Sequence, residues 1–173
     1  MARASRDHDP RRACRSIGLR GAVAAAGLVL SGLALAAGDA TPRLVVTTAA
    51  GEVLVDAALP GDMTWAIEWR HSVAQVTVVD QFAYRDGTMY VTGQVTPHLD
   101  IAGLGSFAGR GTMEQLPDGR YRLRDIDLPL HRNVHNVIIG TRRAPSVLVV
   151  SGQRYELTSM APGAHARIEV VER

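Results

Sequence analysis

The chain has 173 residues, a formal net charge of +2 and a single cysteine, Cys14. This length suits one domain with a sizeable core. Six arginines and two aspartates precede Ala37, so the remainder is slightly acidic with interspersed charges, which excludes the concentrated basic face of a nucleic-acid-binding protein. Because Cys14 lies in the first segment and the chain has no lysine, disulfides, cysteine nucleophiles and lysine Schiff bases are excluded from the rest.

The first segment is typical of an export signal. An arginine-rich stretch is followed by an uncharged apolar run over residues 21–38, which is the order of a secretory leader. The small residues Ala34 and Ala36 predict cleavage after residue 36. The alternative is an uncleaved anchor, since the run is just long enough to cross a hydrocarbon core. Residues 1–36 are therefore predicted to be a signal peptide or an N-terminal anchor.

The route of export stays open between the Sec pathway and the twin-arginine pathway, because Arg11 and Arg12 form a pair ahead of the apolar run. Either route predicts that residues 37–173, as a single β-rich domain, lie in the periplasm or elsewhere outside the cytoplasm. Membrane contact is then expected only through an uncleaved leader.

The domain is predicted to be all-β. No window after Thr41 sustains a helical period, whereas short β-branched runs bounded by Gly, Pro, Asp or Asn recur. Asp86 and Gly87 predict a tight hairpin. Roughly ten antiparallel strands favour a β-sandwich or a partly closed barrel. The predicted strands are 43–48, 52–57, 65–72, 75–84, 88–95, 119–126, 134–139, 146–151, 153–157 and 166–171, and residues 96–111 are predicted to be irregular.

Alternation in two strands identifies an unusual inward carboxylate. In 65–72, Trp65, Ile67, Trp69 and His71 share one face, which is the expected core face. In 75–84, Asp80 shares parity with the apolar residues. The sequence therefore predicts either a bulge near Asp80 or a partner for its side chain.

Several motifs resemble a known family. The run Ile-Glu-Trp-Arg-His-Ser-Val at 67–73 is followed by Thr77, a glycine-rich loop at 102–105, Asp-Gly-Arg-Tyr at 118–121, and a closing hairpin over 144–157. In this order, over residues 65–170, they resemble the bacterial family called domain of unknown function 1850. Two positions depart from the family pattern: Ala74 replaces a usual acidic residue, and Gly105 replaces a usual proline.

The resemblance implies a partner rather than a reaction. Members of the family resemble companions of tripartite transporters of the TAXI type, whose extracytoplasmic receptors deliver small carboxylates to a membrane permease. The implied partners are therefore TAXI-type transporter components or a small carboxylate ligand.

The candidate site residues come from the motif and from the glycine loop. His71 is predicted to be a hydrogen-bonded imidazole, with Thr77 or Asp80 as its partner. Adjacent strand residues point to opposite faces, which argues against a Ser72–His71 nucleophile and base. The glycine loop could form a backbone nest for an anion, but it lacks the ending of a phosphate loop. The ligand-binding or motif candidates are Trp69, His71, Ser72, Thr77, Asp80, Gly103, Gly105 and Arg110.

Metal binding and cofactor chemistry are not predicted. His131 and His135 are four residues apart, but the β-branched run after them predicts extended chain rather than a helix. No catalytic residue is assigned. The predicted function is an exported β-sandwich binding module. The alternatives are an enzyme that uses the region of His71 and the glycine loop, and a structural envelope protein that docks by a sheet edge.

Overall fold

The computed structural model describes residues 41–98 and 111–172. The predicted leader at 1–36 and the glycine loop with Gly103, Gly105 and Arg110 lie outside the described residues. Across the two described ranges, no helix has both the length and the apolar character needed to cross a membrane.

The described residues are almost entirely β-structure, which confirms the predicted fold class. A four-residue helix, α1 (Leu157–Met160), and a short 3-10 turn (His131–Asn133) interrupt the strands. The strands are β1 (Arg43–Thr48), β2 (Val53–Ala58), β3 (Thr64–Arg70), β4 (Thr77–Arg85), β5 (Thr88–Thr96), β6 (Thr112–Gln115), β7 (Tyr121–Pro129), β8 (Val134–Ile138), β9 (Ser146–Val150), β10 (Gln153–Tyr155) and β11 (His165–Val171).

Two antiparallel sheets make up the sandwich. The four-stranded sheet has the order β2-β1-β11-β8, and the seven-stranded sheet has the order β10-β9-β3-β4-β5-β7-β6. Neither sheet closes on itself, so of the two predicted architectures the sandwich is confirmed and the barrel is wrong. The last strand, β11, pairs with the first, β1, in register from Arg43 opposite Val171 to Thr48 opposite Ala166.

The core lies between the sheets. The four-stranded sheet contributes fully buried residues such as Leu44 and Ile168, and the seven-stranded sheet contributes Phe82 and Leu148. Alternation selects these side chains because one face of each strand points inward. Trp65 stacks on Phe82 with ring centroids 5.6 Å apart, as their directly opposed positions on β3 and β4 require.

The hairpin between β4 and β5 forms at the predicted turn. Asp86 and Gly87 both have positive φ, 49° and 74°. Two consecutive positive-φ residues match the right-handed twist of the flanking strands, which is why Asp-Gly is favoured there.

A bulge in β5 changes which alternate residues of that strand point into the sandwich. Phe82 pairs with Val91 while Gln81 pairs with Gly93, so Thr92 is an extra residue. Beyond the bulge, Gln94 lies opposite Asp80. Gly93 is required there, because a Cβ would lie 2.6 Å from Gln81 Oε1 and 2.9 Å from the carbonyl oxygen of Leu123. Simple alternation would have put Gln94 on the outer face.

The boundaries of β3 and β4 differ from the prediction because a turn at His71 separates the two strands. The predicted strand 65–72 ends at Arg70, since His71 starts a turn, and the following strand starts at Thr77 rather than at residue 75. Strand β6 and helix α1 were not predicted. Both are only four residues long, too short for a periodic signal.

Candidate functional site

His71 organises the turn between β3 and β4. Its backbone N–H donates to Val76 and its carbonyl oxygen accepts from Gln75. Its ring Nδ1 accepts from the backbone N–H groups of Val73 at 3.3 Å and Ala74 at 3.1 Å. The neutral ring therefore carries its proton on Nε2.

This geometry corrects two expectations about the motif. The partners of the His71 ring are backbone amides of its own turn, and not Thr77 or Asp80. His71 and Ser72 lie in a turn, and not on opposite faces of a strand. Since Nδ1 is occupied by backbone donors, the arrangement offers no support for a Ser72 nucleophile activated by His71 through that nitrogen.

An open groove of about 720 Å³ lies beside this turn. One wall is the motif from Trp69 to Ser72, and the other is formed by the segment between β8 and β9 together with Gly163. The lining residues Ile138 and Ile139 make part of the wall apolar, and none of the described residues that line the groove is a carboxylate.

Arginines without an acidic partner among the described residues lie in the wall of this groove and in the turn beside it. Arg70 lines it directly, and Arg142 and Arg143 are the exposed tip of the turn whose ends, Thr141 and Ala144, line it. None of the three has an acidic partner within 41–98 and 111–172. Every other described arginine except Arg132 forms an ion pair with Asp or Glu.

A smaller cavity of about 210 Å³ lies between the sheets next to the groove. Trp69, Ile138 and Ser146 line both spaces. The indole ring of Trp69 lies 6.1 Å from the ring of His71, and its Nε1 donates to Asp80 Oδ2 at 2.7 Å. Trp69 therefore connects the turn at His71 to the interior carboxylate of Asp80.

Asp80 has partners for both oxygens, as its inward parity predicts. Besides the bond from Trp69, its Oδ1 accepts a hydrogen bond from Gln94 Nε2 at 2.6 Å. The other end of that amide, Gln94 Oε1, is buried with no hydrogen-bond partner in the described residues. The bulge in β5 turns Gln94 inward and so places its amide opposite Asp80 as the second hydrogen-bond donor.

Burial dominates the electrostatics of Asp80. It raises the pKa of the carboxyl above its ordinary value, against the opposing effects of the hydrogen bonds from Gln94 and Trp69 and of nearby His135. Burial also lowers the pKa of His135, against the opposing effect of the Asp80 charge. Burial therefore shifts the titration of each group toward its neutral form.

His135 reaches the cavity from the opposite sheet. It lies on β8 opposite Ile168, a core residue, and its ring packs on Phe82 with centroids 4.9 Å apart. In the described part of the chain, neither ring nitrogen of His135 has a hydrogen-bond partner. The spacing of His135 from His131 gives no indication of this position in the cavity. Its shared parity with Val137 and Ile139 was the signal that it faces inward.

The floor of the groove is held by a compact polar network. The Ser146 hydroxyl accepts from the backbone N–H of Gly140 at 2.9 Å, and the Ser146 N–H donates to Thr158 Oγ1 at 2.8 Å. At Gly140 a Cβ would lie 1.9 Å from the carbonyl oxygen of Ala144, so only glycine fits. These contacts fix the Thr141–Ala144 turn beside the groove.

The structure thus brings together Trp69, His71 and Ser72 at the groove, and Trp69 and Asp80 at the cavity. Thr77 is exposed on β4 opposite Arg70 and lines neither space. Within 41–98 and 111–172, no three His, Cys, Asp or Glu side chains converge to hold a metal ion.

A different groove, of about 440 Å³, crosses the ends of β1, β8 and β11. Its one arginine, Arg167, is paired with Glu169 at 3.0 Å. It therefore lacks the uncompensated charge found beside His71, and we place the candidate site at the His71 groove.

Comparison with known proteins identifies the family of the chain. No curated protein matches the chain, and no solved structure does. One family model matches residues 65–157, more than half of the chain, and its description is domain of unknown function (DUF1850). The match begins at Trp65, where the predicted resemblance begins, and includes the turn at His71, Asp80 and His135. The chain therefore belongs to the DUF1850 family.

Proposed function

We propose that this domain is a binding module for a small carboxylate or another compact anion, held in the groove beside His71. The observation that carries the proposal is Arg70 in the wall of a groove for which no described lining residue is a carboxylate, with Arg142 and Arg143 exposed at the tip of the adjoining turn. None of these three arginines has an acidic partner among the described residues. Guanidinium groups bind carboxylates with two parallel charge-assisted hydrogen bonds, so they are suited to this class of ligand.

The contrast with the rest of the surface supports the proposal. Elsewhere arginines pair with acids, for example Arg154 with both oxygens of Glu68 at 2.8 Å. A fold that neutralises most of its cations but leaves three together beside one groove retains positive potential there. His71 can add a hydrogen-bond donor through Nε2, because Nδ1 already accepts from the turn.

The biological setting is also proposed, and its support is the sequence. The leader at 1–36 supports a location outside the cytoplasm, in the periplasm, with or without retention in the inner membrane. Family resemblance supports a role as an accessory to a TAXI-type transporter. A small-carboxylate module is compatible with that role, since such transporters carry this class of cargo.

The test measures ligand-dependent stability of the full chain in a mild non-ionic detergent. Thermal unfolding is followed by tryptophan fluorescence in acetate, succinate and phosphate against chloride at equal ionic strength. A bound ligand at about 100 times its Kd stabilises the folded state by about 2.7 kcal/mol. We expect stabilisation by at least one carboxylate.

Two variants locate the effect. Arg70→Gln is expected to weaken the stabilisation, whereas Arg132→Gln, which removes an exposed arginine without an acidic partner away from the groove, is expected to leave it unchanged. If no anion stabilises the chain beyond chloride, or if both variants lose the effect equally, the proposed function is wrong. Pull-down of the transporter permease without any anion effect would instead favour a docking role.

A further inference from the structure

We infer that the cavity behind Trp69 is a second compartment of the same site, and that it receives a compact, largely apolar tail of the carboxylate. This rests on the proposed function, in which the carboxylate head is held in the groove. The ligand class is a monocarboxylate with a short branched or cyclic tail that carries one hydroxyl or oxo group.

Continuity of the two spaces is the first step. The groove and the cavity share three wall residues, Trp69, Ile138 and Ser146. Ile138 is two-thirds exposed, at 67%, so part of this shared wall is a surface side chain and not packed core. The two spaces therefore adjoin across these residues, and a ligand that spans both would displace the exposed Ile138 side chain.

The size and lining of the cavity set the size and polarity of the tail. The volume is about 210 Å³, and its walls include Ile67, Val137 and Leu157. A cavity of about 150 Å³ holds benzene, so this one suits a group of about six to eight non-hydrogen atoms. A charged tail would be disfavoured, because burial among these walls penalises charge, as it does for the Asp80 carboxyl that lines the same cavity.

His135 supplies the reason for one polar group on the tail. The oxygens of Asp80 each accept a hydrogen bond already, from Trp69 and Gln94. His135 also lines the cavity, and within the described ranges its ring nitrogens have no partner. A neutral imidazole offers one donor and one acceptor, which a hydroxyl or oxo group on the tail can use.

The test compares carboxylates that share a head but differ in tail, on the full chain. The probes are acetate, 3-methylbutanoate, cyclohexanecarboxylate, 4-hydroxycyclohexanecarboxylate and succinate. Each buried methylene is expected to tighten binding about fourfold. We expect the cyclic acids to bind at least about tenfold tighter than acetate, the hydroxylated acid to bind tightest, and succinate to gain nothing from its charged tail.

Two further measurements place the tail. The chain has two tryptophans, so the indole N–H signals in a nitrogen-15 spectrum form an internal comparison. Because Trp69 lines both spaces, its signal should shift with acetate and shift clearly further with the tailed acids at saturation, while the Trp65 signal stays in place. Val137→Phe, which fills the cavity, should abolish the gain from the tail but leave acetate binding. Val134→Phe, on the same strand outside the cavity, should leave both the gain from the tail and the binding of acetate unchanged.

The outcomes separate the two proposals. If acetate and the tailed acids bind equally and Trp69 does not respond to the tail, the cavity inference is wrong while the groove proposal stands. If no carboxylate binds at all, the proposed function is wrong and the inference falls with it. If Val137→Phe prevents folding, the tail-dependent response of the Trp69 signal decides alone.

Discussion

Removing the Asp80 carboxyl in two different ways tests the interior hydrogen-bond network. Asp80→Ala leaves Trp69 Nε1 and Gln94 Nε2 without their acceptor, at distances now of 2.7 and 2.6 Å. An unsatisfied buried donor costs about 1 to 3 kcal/mol, so two cost about 2 to 6 kcal/mol. Domains of this kind have a free energy of unfolding of about 5 to 15 kcal/mol, and the loss is therefore easily measured.

Asp80→Asn is the matched variant. Its amide oxygen can accept from Trp69, and its NH2 group can donate to Gln94 once that amide rotates by 180° and presents Oε1, which is buried without a partner in the described residues. Both partners are then satisfied and the buried acid is gone. We expect the free energy of unfolding to stay within about 1 kcal/mol of the wild type, or to rise.

The assay is urea unfolding followed by tryptophan fluorescence, which reports on Trp65 and Trp69 in the sandwich. Stability is read from the midpoint at unchanged slope, because a changed slope would indicate a different unfolded or native state. Equal losses in Asp80→Ala and Asp80→Asn would refute the reasoning. So would a loss in Asp80→Ala of well under about 1 kcal/mol.

Two other predictions concern pH and one glycine. The pKa of Asp80 is raised in the folded state, so its contribution to stability is present below its ordinary pKa of 3.8 and is lost as the pH rises through the folded pKa. The stability of Asp80→Asn relative to wild type should therefore increase between about pH 3 and about pH 7. A constant difference in urea midpoints over this range would contradict the prediction. Gly140→Ala should lower the free energy of unfolding by about 1 to 3 kcal/mol and weaken anion binding, since its Cβ would meet Ala144, whereas Gly61→Ala has open space and should change neither.

Much of the fold follows from local pattern. Alternation along β3 and β4 predicts inward positions such as Trp65, Ile67, Val78 and Phe82, which the structure shows buried, and Asp86-Gly87 predicts the hairpin between β4 and β5. The same alternation placed Asp80 among the inward residues and predicted either a bulge there or a partner for its side chain. These features are readable because a strand has a period of two residues and because positive φ restricts which residues can form a tight turn.

The composition of the site depended on contacts that no local pattern encodes. Gln94 turns inward only because β5 bulges at Thr92, and the bulge depends on pairing with β4. His135 meets Phe82 from the other sheet, so its role needs the two sheets to be packed together.

The sequence by itself determined an all-β domain, an inward position for Asp80 and the motif at 67–73 that contains His71. Only the tertiary structure decided that His71 organises a turn, that Arg70 lines a groove beside the turn of Arg142 and Arg143, and that Trp69 lines both this groove and an interior cavity. The physical reason is the range of the interactions. Alternation and turns are set by neighbours along the chain, whereas bulges, grooves and cavities are set by strands that are distant in sequence and adjacent in space.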